Sequence, residues 1–457
     1  MDSARFMTRS LRSLEWGEQV GCVLSAALQA VEPGAAIKKH LQRVGDHLIV
    51  GGSPYTLPAY KRVFLVGAGK ASIPMGIAAA TLLGDHLTAG MLITKEGYWV
   101  EDDQTNIPGL EIFSAGHPIP NERGWQATQK IVNLLSTARA DDLVLCLISG
   151  GGSALLTDPV EGISLEDIQV LTASLLRCGA NVGEINTLRK HVDRVKGGGL
   201  VRVAAPATVI SMILSDVVGD PLDMIASGLC LPDLTTFEDA LAVLQRYHLF
   251  EEAPPKIIKY LQKGVSGSIP ETPKPGDHLF DRTQNIIIGS GYQAAQAGLE
   301  RARGLGWNSS LLTTFLQGEA RQAGRTLAAI ARQVDATGEP SPRPACLVAA
   351  GETTVTVKGG GKGGRNQELA LAAVPDMAGI QEAVLVALAT DGMDGPTAAA
   401  GAVVTGETHL RARSLGMEPV EYLDRNDAYH FFEPLDDLLI TGPTQTNVND
   451  LALLFLG

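Results

Sequence analysis

Three times this chain runs a short, wholly apolar segment into a glycine turn and then into a helix-periodic stretch. The segments are "RVFLVGAGKASIPMGIAAATLL" (62–83), "DDLVLCLISGGGSALL" (141–156) and "NIIIGSGYQAAQAGLERARGLGW" (285–307). A strand that is apolar at successive positions is covered on both faces, and strands alternating with helices imply a parallel sheet. "AGMLITK" (89–95) and "ATVISMILSDVVGDP" (207–221) add two more strands to the same pattern. Residues 5–32 and 35–45 carry helical spacing. At 457 residues the chain is too long for one core, so two α/β domains are expected. The polar, Pro/Gly-rich stretch 262–284 marks the boundary between an N-terminal domain over 1–262 and a C-terminal domain over 285–457. In the second domain, "ACLVAAGETTVTV" reads as one long strand or a hairpin. "EAVLVALATDGMDGPT" reads as a strand running into an acidic turn, and "DLLITGPTQTNVNDLALLFL" as two β-rich pieces.

The net charge of −13 and the pI of about 5.2 disfavour a nucleic-acid partner. Cys22, Cys146, Cys178, Cys230 and Cys346 are scattered, without a CxxC pair. That usage fits a reducing cytoplasm and argues against a zinc or disulfide framework. Cys146 and Cys346 sit inside apolar runs and read as core. No run of ~18 apolar residues predicts a membrane span, and the N-terminus does not read as a secretory signal.

Ligands of open α/β sheets bind at the carboxyl ends of strands, and five turns at such ends stand out. "LVGAGKAS" holds Gly67, Gly69 and Lys70: a tight turn, free helix N–H groups and a point charge. It also reads as a plain packing turn. It is neither a Walker A loop nor a full dinucleotide fingerprint, because Ser72 stands at the third glycine position. "SGGGSALL" sets Gly150, Gly151 and Gly152 between Ser149 and Ser153, a dense array of N–H donors with two hydroxyls. "NTLRKHVDRVKGGGL" carries Arg189 and Lys196 among four cations on a helix with a glycine C-cap. Most of these read as a solvated basic face, with one or two available to a cleft. "SDVVGDP" holds Asp216 and Asp220, and "TDGMDGP" holds Asp391 and Asp394. Such acids often cap helices. Beside anion-binding loops they also suit a divalent cation, since Mg²⁺ takes one or two carboxylates plus phosphate oxygens.

"GETTVTVKGGGKGGRNQELAL" (351–371) is the densest of these segments. Glu352 opens a strand, and Gly359–Gly364 is glycine except for Lys362, which reads as a cationic hairpin tip that lets backbone approach a ligand. Gly364, Arg365 and Asn366 then begin a helix whose N–H groups attract an anion, and the Arg365 guanidinium can clamp a carboxylate or phosphate at two points. Glu368 reads as stabilising that first turn. Anion-binding loops, a few cations and several turn carboxylates together point to phosphoryl transfer, which rests on positioning and charge neutralisation.

"GAGKAS", "AGHPIPNERG", "LISGGGSALL", "NTLRKHVDRVKGGGL", "ILSDVVGDPLDMIASG", "GETTVTVKGGGKGGRNQELAL", "TDGMDGPT" and "TGPTQTNVND" follow one another as in the glycerate 2-kinase family. The chain resembles that family, whose C-terminal half is the MOFRL domain, over about residues 15–457. The resemblance implies a Rossmann-like N-terminal domain, a smaller mixed α/β C-terminal domain and a site in the cleft between them. It implies ATP- and Mg²⁺-dependent phosphorylation of D-glycerate to 2-phosphoglycerate. Lys70 and Arg365 correspond to functional positions, as do Asp216 and Glu352. In this reading the Lys70 turn and Ser149–Ser153 bind phosphate, with Arg189, Lys196, Gly364 and Asn366 beside them. Asp216 with Glu352 or Asp391 acts through Mg²⁺ or as base, and Arg365 grips the glycerate carboxylate or the moving phosphoryl group. A homodimer is compatible with the resemblance. Asn121, Ala428 and Gln445 depart from the pattern, Gln445 standing where glycine is usual. His117 is read as structural or as touching substrate. Two rivals stand: an NAD(P)H-dependent hydroxypyruvate reductase, and a non-catalytic sugar-phosphate sensor.

Overall fold

The computed structural model describes residues 2–98 and 107–457. The chain forms two compact units. The first contains Pro33–Ser215 and Asp220–Ile288; the second contains the chain up to Glu32, Asp216–Gly219 and Gly289–Gly457.

The first unit is built on six strands: β1 (Arg62–Ala68), β2 (Leu87–Lys95), β3 (Leu110–Ala115), β4 (Asp142–Ile148), β5 (Thr208–Leu214) and β6 (Thr283–Gly289). Their order across the sheet is 3-2-1-4-5-6, and the pairings from β3 to β5 are all parallel. β4 and β5 are buried at every residue, as their unbroken apolar sequences require. Helices α1 (Ser72–Leu83), α2 (Gly152–Leu155) and α3 (Val182–Val192) belong to this unit. The strand order reverses between β1 and β4, which makes a doubly wound sheet with its switch point at their carboxyl ends.

The second unit holds a mixed sheet: β7 (Asn308–Glu319), β8 (Ala345–Thr354), β9 (Ala383–Ala389), β10 (Gly401–Thr405), β11 (Leu438–Leu439) and β12 (Asp450–Leu456), in the order 7-8-12-9-10-11. Only the β7–β8 pair is parallel. The last strand is thus inserted at the centre, between β8 and β9. Helices α4 (Gly291–Gly304), α5 (Ala320–Thr337) and α6 (Arg365–Met377) belong to this unit. Leu327, Ala331, Leu347, Leu369, Val374 and Leu385 form part of one continuous core.

The structure differs from the expected layout in three places. The first 32 residues fold with the second unit, not with the sheet that follows them. Helix Gly17–Ala30 packs on α4, Trp307 donates its indole N–H to Gln19 at 2.7 Å, and Trp16 meets Trp307 edge-on at 5.0 Å. Helical spacing shows that this helix has an apolar face but not what covers it. The helix expected over 35–45 ends at His40, and Leu41–Val44, His47–Val50 and Ser53–Thr56 form a small antiparallel sheet. The stretch 262–284 is fastened to the first unit: Thr272 donates to the buried Asp233 at 3.0 Å, and the Asp233 N–H donates to Pro273 O at 2.8 Å. Among the described residues no single helix is long and apolar enough to cross a membrane.

Candidate active site

In the first unit Ala68 and Ile148 are register partners, so the turns that leave β1 and β4 lie side by side. The Lys70 N–H donates to Gly150 O at 2.9 Å, the Ser149 N–H to Ala68 O at 3.1 Å, and the Ala71 N–H to the Ser149 hydroxyl at 3.0 Å. Gly69 permits this closeness: its φ is 138°, and a Cβ there would lie 2.1 Å from Ser149 Oγ. Among the described residues no hydrogen bond engages the main-chain N–H groups of Gly150, Gly151 and Ser153. Donors left open beside a lysine at the switch point of a parallel sheet form a place for an anion.

Cations gather at the same place. His117, placed beside Gly151, is held down to about 4 by burial and then by the charges of Lys70, Lys95 and Arg189, so its imidazole is neutral at pH 7. Arg189 lies 3.5 Å from Ser153 Oγ. The Ser153 hydroxyl belongs to a chain: it lies 2.6 Å from Ser227 Oγ, which donates to Asn186 Oδ1 at 2.7 Å, while Asn186 Nδ2 donates to Met224 O at 3.0 Å. In that order Ser153 donates to Ser227 and turns lone pairs outward. Its contribution to an anion is therefore its N–H and not its hydroxyl. Ala226 and Ser227 both have positive φ, 49° and 59°, a strained turn that brings Ser227 under the glycine loop. Nothing in "DMIASG" distinguishes Ser227 in the sequence, and nothing in "NTLRKHVDRVKGGGL" distinguishes Asn186.

Lys196 is not at this surface in the way its sequence suggests. It is 2% exposed, and its ammonium is held by Asp193 at 2.6 Å, Leu156 O at 2.9 Å and Thr157 Oγ1 at 3.3 Å. A buried carboxylate needs that charge, so the ammonium is committed to Asp193.

In the second unit, Gly351 and Ala389 are both register partners of Asp450, which sets Glu352 and Asp391 near the same end of β12. Arg365 is held by Asp450 through two bonds, Nε to Oδ2 at 2.5 Å and Nη2 to Oδ1 at 2.9 Å, and its Nη1 lies 3.3 Å from Glu352 Oε1. Arg365, Glu352, Gly361, Gly363 and Gly364 line a cavity of about 680 Å³ whose other walls include Val355, Val357 and Pro396. The glycine segment is not a hairpin tip. It is a loop pinned along its length: the Lys358 and Gly359 N–H groups donate to Asn426 Oδ1, and the Lys362 N–H to Asp427 Oδ1.

The N-terminus of α6 does attract an anion, but that anion is Asp394. Its carboxylate accepts from the Asn366 N–H at 3.1 Å and the Gln367 N–H at 2.8 Å. A Cβ at Gly364 would lie 2.3 Å from Asp394 Cγ, so glycine is needed for this approach. Asn366 is 2% exposed, and its side chain also donates to Asp394. Glu368 is likewise committed away from the first turn, pairing with Arg321 at 2.7 Å and Asn426 at 2.9 Å. Asp391 is half-buried, and its Oδ1 accepts from the Met393 N–H at 3.0 Å. Asp216 directly follows Ser215 at the carboxyl end of β5 and is half-buried. Among the described residues no three acids, histidines or cysteines are close enough together to hold a metal by themselves. Asp450 was missed in the sequence because it opens an apolar strand 85 residues from Arg365.

A doubly wound sheet with open amide donors at its switch point, in one chain with a mixed-sheet unit whose cavity is lined by a fixed arginine, defines an α/β enzyme of the anion-handling kind. Residues 19–262 match the family described as "Domain of unknown function (DUF4147)", and residues 345–450 match the MOFRL family. A D-glycerate 2-kinase of Thermotoga maritima is 41% identical over 431 residues, 94% of this chain and 96% of that protein. A glycerate 2-kinase of Pyrococcus horikoshii is 39% identical over 94% of this chain and 95% of its own. The solved structure of a Thermotoga maritima glycerate kinase matches with a TM-score of 0.84 at 40% identity, covering 95% of this chain and 98% of that one. The chain belongs to the glycerate 2-kinase family with a MOFRL domain.

Proposed function

We propose that this protein transfers the terminal phosphoryl group of Mg-ATP to the 2-hydroxyl of D-glycerate, giving 2-phosphoglycerate and ADP. The observation that carries the reading is the set of uncommitted N–H groups of Gly150, Gly151 and Ser153 beside Lys70 at the β1/β4 switch point. That arrangement suits phosphate oxygens. The relatives' names supply the acceptor.

In this reading Lys70, the glycine-loop amides and Arg189 neutralise phosphate oxygens, and Arg365 meets the glycerate carboxylate or the moving phosphoryl group. Charge placed ahead of time in this way lowers the barrier where charge develops. One of Asp216, Glu352 and Asp391 accepts the proton of the attacking hydroxyl. Magnesium fits the rest of the set. The Glu352 side chain is 44% exposed, and Asp391 spends one oxygen on the Met393 amide. Mg²⁺ takes one or two carboxylates and completes its shell with phosphate oxygens and water. When bound, the ion neutralises charge on the phosphoryl group in transfer.

The test is an assay with D-glycerate and Mg-ATP, followed directly by enolase. Phosphoenolpyruvate formed without a mutase identifies the 2-phosphate. Product that needs a mutase first would move the phosphoryl group to the 3-hydroxyl. Oxidation of NADH by hydroxypyruvate at a comparable rate would replace the reading with a reductase. Arg365→Ala should lower kcat/KM by on the order of 10²-fold while the fold persists.

A further inference from the structure

We propose that Asp450 is a positioning residue for Arg365, fixing which edge of the guanidinium faces the cavity of the second unit. The inference rests on the reading that Arg365 meets the substrate or the phosphoryl group.

The geometry is specific. Two parallel bonds from Asp450 take Nε and Nη2, so the guanidinium plane cannot turn about its long axis. What remains is the outer N–H of Nη2 and both N–H groups of Nη1, and Nη1 lies 3.3 Å from Glu352 Oε1, a carboxylate in the cavity wall. The base that holds the arginine is itself rigid. Asp450 is the first residue of the central strand β12, paired on one side with Gly351 of β8 and on the other with Ala389 of β9. Arg365 is the first residue of α6, whose start is locked by Asp394.

Asp450 is the one residue of β12 that is not apolar. The remaining residues of β12, Leu451–Leu456, are apolar and buried. Asp450 is 7% exposed, and burial raises its carboxyl above the ordinary range; Arg365 and a hydrogen bond from the Asn366 side chain oppose that, and the nearby Asp391 adds to it. A buried ion pair is often no better for stability than apolar residues of the same volume. An ion pair in the central strand that ends at a cavity wall is therefore better explained by what it holds there than by what it adds to the core.

The test compares Asp450→Asn, Asp450→Glu and Arg365→Ala in the full chain, with D-glycerate and Mg-ATP. Asp450→Asn keeps the shape but turns an amide toward the guanidinium. It is expected to lower kcat/KM by about 10- to 100-fold with an unchanged far-ultraviolet spectrum. Asp450→Glu moves the carboxylate by one methylene and is expected to lose about tenfold. The readout that a merely structural residue would not move is chemical rescue. Millimolar guanidinium chloride, well below denaturing concentrations, should restore part of the turnover of Arg365→Ala, because Asp450 still offers its two oxygens. It should not rescue the double variant Arg365→Ala/Asp450→Asn. If Asp450→Asn does not fold, Asp450→Glu and the rescue of Arg365→Ala decide the matter. Turnover of Asp450→Asn or Asp450→Glu within twofold of the parent, or no rescue of Arg365→Ala, overturns the proposal. Near-normal turnover of Arg365→Ala would instead remove the assigned role of Arg365, a separate failure.

Discussion

Asp394 accepts two hydrogen bonds from Gln367, one from its main-chain N–H at 2.8 Å and one from its side-chain amide at 3.0 Å. With the matching pair from Asn366, a buried carboxylate caps α6 at the turn where Arg365 emerges. Burial nevertheless wins: the carboxyl is pushed up to about 6 from an ordinary 3.8. Between those values the folded protein holds a proton that the unfolded chain releases. The contribution of Asp394 to stability is thus complete below about pH 4 and is lost as pH rises through about 6. Asp394→Asn cannot take up that proton, and it turns an amide toward donors. It should cost about 1–2 kcal/mol at pH 7, and the cost should grow by on the order of 2 kcal/mol toward pH 4.5. Urea unfolding of parent and variant at both pH values measures it. A cost that shrinks on acidification would mean that the carboxylate, not the acid, is the form the fold prefers.

The strand–glycine–helix units were legible because each is local: an apolar run, a turn that needs glycine and a helix-periodic segment lie within about 20 residues. The acids at strand ends were legible for the same reason. Asp450 and Ser227 were not, because each acts on a partner brought near only by tertiary pairing. Insertion of the last strand between β8 and β9 brings Asp450 to Arg365. The strained turn at Ala226–Ser227 brings Ser227 under Ser153. Lys196, expected beside the phosphate groups, is instead paired inside the fold, because a cation three residues from Asp193 looks available to a ligand until both are buried.

Lys196→Met leaves Asp193 buried at 2% side-chain exposure without its cation. Removing one partner of such a pair costs about 3–5 kcal/mol. The double change Lys196→Met/Asp193→Asn, which removes both charges, should recover part of that loss. The comparison is made by denaturant unfolding. If Lys196→Met keeps its stability but raises KM for ATP, the lysine belongs to the phosphate site after all.

Gly69→Ala tests how closely the β1 and β4 turns must approach. The added methyl would stand 2.1 Å from Ser149 Oγ, so one turn has to withdraw by more than an ångström. Displacement on that scale at the anion cradle should lower kcat/KM for ATP by on the order of 10²-fold. The overpacking itself should cost about 1–3 kcal/mol. Steady-state kinetics alongside thermal unfolding separates the two effects. A variant with ordinary ATP kinetics would show that these loops do not hold the nucleotide.

Gln445 has a φ of 64°, in the left-handed region that glycine enters most easily. The residue is exposed, so its side chain gains little from packing. The loop cannot easily relax around it. Thr444 donates to Thr390 O at 2.5 Å on one side, and Thr446 donates to Val31 O at 2.6 Å on the other. A left-handed conformation costs a residue with a Cβ about 1–2 kcal/mol, and the added freedom that glycine has in the unfolded chain offsets about 0.4–1 kcal/mol of the gain from removing it. Gln445→Gly should therefore stabilise by about 0.5 kcal/mol, and Gln445→Val, whose branched Cβ tolerates this φ least, should destabilise by about 1–2 kcal/mol. Denaturant unfolding of the parent and the two variants ranks them. A Val variant as stable as the parent would mean that the loop shifts its backbone instead of holding φ near 64°.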